Sequence, residues 1–349
     1  MALHCRVPSK LIVSGEHAVV YGQPALSMAI DLQTYCEITS HSSNNPSIRI
    51  QLPDYALDKT YHFEQAWLRA MQLEQSYQDY LAGQKSINQV CDSALDIPLL
   101  CCAFFNQKHG LKPGEWQIKL CSESWRGRGL GSSAAIIVSL LSALYQSHPK
   151  AEKDQLLGLA QKVENYQHGR SSGIDPTTLA TGGLIRYQLN EPLQSLDVNL
   201  KHAWIIDTGQ PDSSTGQCVD LVKKHFGQDT KLWQAFGQCT DQLQQAWLSQ
   251  NTDLFFHQLE VNQHLLTQLG VVPNKVQKFI QQLTQPGLVV KLCGAGAVTG
   301  DKAGVLMAIA NPGLCKDAET KLQSLCQASG YAFKKIKLVK QAIRCQSMT

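Results

Sequence analysis

Apolar and polar residues alternate along Thr34–Ser40 and Ser47–Leu52, the two-residue period of half-buried strands. A short apolar run, Leu11–Val13, reads as a further strand, and Ala18–Tyr21 and Ala25–Ile30 bracket a turn at Gly22-Gln23-Pro24. Phe63–Leu81 and Ser86–Lys108 read as helices. Trp116–Cys121 is a strand that runs into a glycine-rich stretch. The strongly apolar Ser132–Tyr145 and the amphipathic Lys153–Tyr166 then follow as helices. A second half begins near Glu191. Its strands are His202–Asp207, Leu288–Leu292, Ala303–Ala310 and Tyr331–Ile336. Its helices are Ser213–Phe226, Lys231–Leu248, Asp253–Leu269, Asn274–Leu283 and Pro312–Ser329. Strands and helices mix in both halves, with hairpin-like pairs, so the pattern predicts an α+β fold rather than a doubly wound parallel sheet. The 349 residues suffice for two packed lobes, which we divide as 1–190 and 191–349.

Composition narrows the function. A net charge of +3, with no run of four basic residues, argues against nucleic acid and against an anionic membrane surface as partners. No stretch approaches the roughly 20 apolar residues of a membrane span. His4 and Arg6 interrupt the apolar character of the first seven residues, so no signal peptide is expected and the protein is read as soluble and cytoplasmic. The 12 cysteines are irregularly spaced and form no Cys-x-x-Cys pair, which removes the short-spaced ligands that structural zinc requires. Most are expected to be small buried hydrophobes in a reducing compartment.

The stretch Gly127-Arg128-Gly129-Leu130-Gly131-Ser132-Ser133-Ala134-Ala135 joins a strand to a helix. Glycines let the backbone approach a ligand, serines can cap the helix, and the helix N-terminus offers free N–H groups, which together suit phosphate. A serine-capped tight turn is the plainer alternative. No Gly-Lys-Ser/Thr follows, so this is not a Walker A loop, and protein-kinase signatures are absent. A second glycine-rich loop, Cys293–Gly300, follows the strand ending at Leu292. It raises an NAD(P)-dependent oxidoreductase as the competing class. A dinucleotide loop should open a helix, however, and the strand-like Gly304–Ala310 comes next instead. Charged groups suited to phosphoryl transfer stand close to these loops: Lys10, Glu16, His17, Glu164 and Asp175. Singly, each also reads as a surface or turn residue.

In order, these segments resemble the GHMP kinase superfamily, most closely the branch that acts on mevalonate. Val7–Gly22, containing Ser14-Gly15-Glu16-His17-Ala18-Val19-Val20-Tyr21-Gly22, is similar to the first family motif. Gly127–Ala135 is similar to the phosphate loop, Glu164–Gly183 to the stretch carrying the acidic residues, and Lys291–Gly300 to the third motif. Ser9, Trp125 and Ala297-Val298-Thr299 depart from the family pattern. The resemblance implies a two-lobed α+β fold with ATP and substrate between the lobes, and MgATP-dependent phosphorylation of the primary hydroxyl of mevalonate. Phosphomevalonate, homoserine and sugar acceptors are the alternatives within the fold. It implies Asp175 as base and Lys10 as its cationic partner. Ser122, Gly127, Arg128, Gly129, Leu130, Gly131, Ser132 and Ser133 would lie on the nucleotide, Ser133 and Glu164 on magnesium, and Glu16 and His17 on the acceptor. It also allows a homodimer.

Overall fold

The computed structural model describes residues 1–148, 150–311 and 313–347. Strand β1 (Ala2–Ser14) pairs antiparallel with β2 (Ala25–His41), and β3 (Ser47–Leu52) with β4 (Leu57–His62). Helices α1 (Phe63–Leu81) and α2 (Asp96–His109) precede β5 (Glu115–Ser122), which lies antiparallel to β2 and parallel to β3. Then come α3 (Ser132–Ser147), α4 (Leu156–His168) and α5 (Ile174–Thr181). Strand β6 (Leu184–Tyr187) returns to the start of β2, with β7 (Gln194–Leu196) beside it.

The chain next forms β8 (Ala203–Asp207), followed by α6 (Thr215–Phe226), α7 (Thr230–Leu248), α8 (Thr252–Gln268) and α9 (Asn274–Leu283). Strands β9 (Leu288–Cys293) and β10 (Val305–Ala310), α10 (Ala318–Ser329), β11 (Ala332–Ile336) and β12 (Arg344–Ser347) complete it. The second sheet has the antiparallel order β11-β8-β10-β9. Strand β12 instead crosses back and pairs with β1 in the first sheet. Because β7 and β12 belong to the first sheet, the division at residue 190 does not coincide with the division between sheets; residues 348 and 349 lie outside the described residues. Among the described residues, no helix is long and apolar enough to cross a membrane.

Several differences from the sequence reading have plain causes. His4 and Arg6 do not interrupt an apolar run: they are the outward positions of a strand whose Leu3, Cys5 and Val7 point into the core, so β1 starts at Ala2 rather than at Leu11. Ser86–Lys108 is not one helix. The buried Asp96 carboxylate accepts from the backbone N–H of Asp92 and Ser93 and pairs with Arg69, which holds a loop there and starts α2 only at Asp96. Asp175, which singly could read as a turn residue, lies in a helix. Gly173, at φ +82°, caps α5, and Pro176 falls in its first turn, where a missing N–H costs little. The C-terminal helix begins at Ala318; Pro312, where it was expected to start, lies outside the described residues. Ten of the twelve cysteines are free and most of those are buried, but Cys5 and Cys345 are disulfide-bonded across β1 and β12, so the all-thiol expectation does not hold for that pair.

Helix α3 is buried on nearly every side from Ala134 to Tyr145 and packs on β1 and β2 in the core of the first lobe. A separate apolar cluster bridges the sheets. Leu11, Val13, Leu26 and Met28 of β1 and β2 meet Ile205, Val289 and Met307 of the second sheet, with Leu243 and Leu259 of α7 and α8. This shared core fixes the two lobes against each other and leaves a cleft along one side.

Candidate active site

Lys10 sits in β1 just before the core residue Leu11, and its own N–H donates to the Leu130 carbonyl at 3.1 Å, tying the strand to the first glycine-rich loop. Asp175 lies in the first turn of α5, where the helix N-terminus favours a negative charge. The two side chains meet, Nζ to Oδ1, at 2.9 Å; the lysine is 5% exposed and the aspartate 25%. A reachable carboxylate held against an ammonium can take a proton from a hydroxyl, while the ammonium stabilises the resulting oxyanion.

The loop from Gly127 to Gly131 lies directly over this pair. Gly131, at φ +70°, is the cap residue of α3, and a Cβ there would stand 2.7 Å from Lys10 Cγ. The expected serine cap is absent: no side chain caps α3, and the Ser133 hydroxyl donates to Gln167 instead. Gly129 backs onto Gly294 of the second loop, so closely that a Cβ on Gly294 would lie 3.4 Å from Gly129 Cα. The two glycine-rich loops thus form adjoining walls of one cleft of about 1140 Å³, onto which Lys10, Glu16, His17, Ser122, Ser132, Ser133, Glu164 and Asp175 all face.

Two of the residues expected on the nucleotide have structural partners of their own. The Leu130 side chain is buried in the core shared by the sheets, so only its backbone lies at the loop. Arg128 turns its Nε to Asp207 at 2.7 Å, and its carbonyl accepts from Val305 N–H, so this arginine anchors the loop to the second sheet. Ser122 stands at the rim of the cleft with its hydroxyl shared with Thr34 at 2.7 Å.

Glu16 and His17 occupy the turn after β1. His17 Nε2 lies 3.1 Å from the Ala295 carbonyl, and Glu16 is buried against Lys291 of β9. Lys291 was not singled out from sequence. The signal was there: one lysine inside the otherwise apolar run Leu288–Leu292. All six residues of that strand are buried, the lysine included.

Residues 96–183, from α2 through the phosphate-type loop to the end of α5, match the family model described as the GHMP kinases N terminal domain. Over these residues the chain is similar to the GHMP kinases. Over 339 residues, covering 90% of each chain, it is 29% identical to a mevalonate kinase of Pyrococcus horikoshii. The mevalonate kinase structure from Methanococcus jannaschii superposes with a TM-score of 0.75 at 22% identity, covering 96% of this chain and 98% of that one. A galactokinase from Lactococcus lactis, complexed with galactose, shares the fold at TM-score 0.76 and 13% identity, covering 98% of this chain and 95% of that one. The chain is an ATP-dependent small-molecule kinase with a two-lobed α+β fold.

The remaining parts of this kinase's cleft follow from its packing. Glu164, at the inner end of α4, is 2% exposed and accepts from the Ser171 hydroxyl at 2.5 Å. Burial, and next the charge of Asp175, push its carboxyl up to about 8. A buried carboxylate and a hydroxyl facing the same cleft are hard oxygen donors suited to a magnesium ion. In the second loop, Gly294 and Ala295 face the cleft. Where the family pattern continues with glycine, Ala297 is buried and its N–H donates to the Val271 carbonyl, while Val298 packs against the core of the second lobe. These departures therefore fill the lobe interior. The loop still joins β9 to β10, strand to strand, unlike a dinucleotide-binding turn.

Proposed function

We propose that this kinase transfers the γ-phosphoryl group of ATP to the primary hydroxyl of mevalonate, giving 5-phosphomevalonate and ADP. The observation that carries the reading is the placement of Glu16 and His17, from the Gly15–Gly22 segment, on the wall of the cleft that holds the Lys10–Asp175 pair. Mevalonate kinases among the relatives support the same acceptor. The backbone of Gly127–Ser133 and the N-terminus of α3 would hold the phosphates. Asp175 would take the hydroxyl proton, and Lys10 would stabilise the alkoxide as it attacks. Glu16 and His17 would hold the rest of the acceptor. Magnesium, held by Ser133 and Glu164, would supply charge neutralisation on the phosphates. Catalysis would be chiefly positioning and electrostatics. A cytoplasmic location belongs to the same proposal, supported by the ten free thiols.

A coupled ADP-release assay across mevalonate, phosphomevalonate, homoserine and galactose tests the acceptor. Mevalonate should give the highest kcat/KM. A clear preference for any of the other three would overturn the acceptor and keep the kinase.

A further inference from the structure

We propose that Lys291 is a positioning residue for the acceptor: it holds the Glu16 carboxylate across the lobe boundary so that the second carboxylate oxygen accepts a hydrogen bond from an acceptor hydroxyl. This rests on the reading of the cleft given above and adds to it a residue from the opposite lobe and a recognised group.

Glu16 lies in the turn after β1, and Lys291 lies mid-strand in β9 of the second sheet, 275 residues away. The two side chains are 1% and 0% exposed. Lys291 Nζ donates to Glu16 Oε1, while Oε2 is buried and has no partner. Glu16 nonetheless lines the cleft. A carboxylate of a cleft-lining residue with one dehydrated, unpartnered oxygen is incomplete until a donor reaches it. A neutral hydroxyl meets that need, whereas an anionic group would be repelled. The acceptor's hydroxyl face should therefore point at Glu16 and its anionic end elsewhere. Packing does not explain the lysine. A buried ion pair is often replaceable by apolar side chains at no loss of stability, and every other residue of β9 except the terminal Cys293 is aliphatic.

Burial is the largest influence and leaves the Glu16 carboxyl raised, and Lys291 is the foremost of the groups that oppose it, with a backbone hydrogen bond and Lys10 behind it. Cys239 of α7 and Cys293 of β9 also face the pair, but burial pushes both thiols up to about 12, so they stay neutral. Without Lys291, burial acts with less opposition, so the Glu16 carboxyl rises further and keeps its proton to higher pH than in the wild type. Raising the pH should then restore the carboxylate.

The experiment is steady-state kinetics on the full chain with Lys291→Met, Glu16→Gln and the double variant. The acceptor is whichever of mevalonate, phosphomevalonate, homoserine and galactose the wild type uses best, so an error in substrate identity changes the acceptor and leaves the comparison of variants intact. Lys291→Met should raise the acceptor KM at least about tenfold at pH 7, the scale of a lost charge-assisted hydrogen bond. The KM for MgATP should stay within about twofold of wild type, and the defect should shrink as pH rises toward about 9. Glu16→Gln should show a raised acceptor KM without that recovery. The double variant should be no weaker than the worse single one, because the two residues act as a unit. It also removes both charges together, so it should fold even if Lys291→Met, with an unpaired Glu16, does not. A folded double variant with wild-type acceptor KM, or a Lys291→Met defect that falls equally on MgATP and ignores pH, would leave the pair as a tie between lobes and nothing more.

Discussion

Asp175→Asn is expected to lower kcat by about 10²–10⁴-fold, the usual contribution of a positioned general base. That is about 2.7–5.5 kcal/mol of transition-state stabilisation. The change is close to isosteric. The asparagine carbonyl can still accept from Lys10, whose ammonium now sits 2.9 Å from the Asp175 carboxylate, and asparagine suits the first turn of a helix. Melting temperature and the KM for MgATP should therefore move little. What is lost is the site that takes the proton and the charge that faces Lys10. If Asp175 served only to start α5, asparagine would serve about as well. A kcat within a few-fold of wild type would remove it from the mechanism.

Gly131→Ala should be the next most damaging single change, although it adds one methyl group. The residue has φ +70°, and the new Cβ would lie 2.7 Å from Lys10 Cγ and 3.5 Å from Asp175 Oδ2. Either the lysine or the loop must shift, and a displacement of about 1 Å in a catalytic group can cost about 10²-fold in rate. Backbone strain alone predicts a smaller effect, about 1–2 kcal/mol of stability. Gly183→Ala separates the two. That glycine has φ +65° with nothing within 4 Å of its would-be Cβ, so it carries similar strain without the clash. Both variants should lose comparable stability by thermal melting, and only Gly131→Ala should lose most of its kcat. Equal activities in the two variants would show that the loop does not set the position of Lys10.

The residues around the cleft were more legible in the sequence than the contacts between the lobes. Lys10, Asp175, Glu16 and His17 each read singly as surface or turn residues and were singled out through the resemblance of their segments to family motifs; the fold brings all four to one cleft. The interlobe roles were hidden because they depend on partners far along the chain. Arg128 read as a phosphate ligand, and only the approach of Asp207, 79 residues on, shows its guanidinium engaged elsewhere. Lys291 has its partner 275 residues away. Leu130, apolar between two glycines, could have been assigned to the core from its side chain alone. Strand β12 is a polar edge strand that borrows its order from β1, which no period in its own four residues reveals. In contrast, β3, β9 and α3 were legible because burial imposes their period or their uniform apolarity.

The apolar cluster common to both sheets bears on how this kinase comes apart. Neither lobe can leave the other without stripping Leu11, Met28, Ile205 and Met307 of their neighbours. Denaturation should therefore be all-or-none rather than lobe by lobe. Calorimetry should give a single endotherm whose van't Hoff and calorimetric enthalpies agree. Substituting Met307 with alanine should lower the whole transition, by about 2–5 kcal/mol, without splitting it.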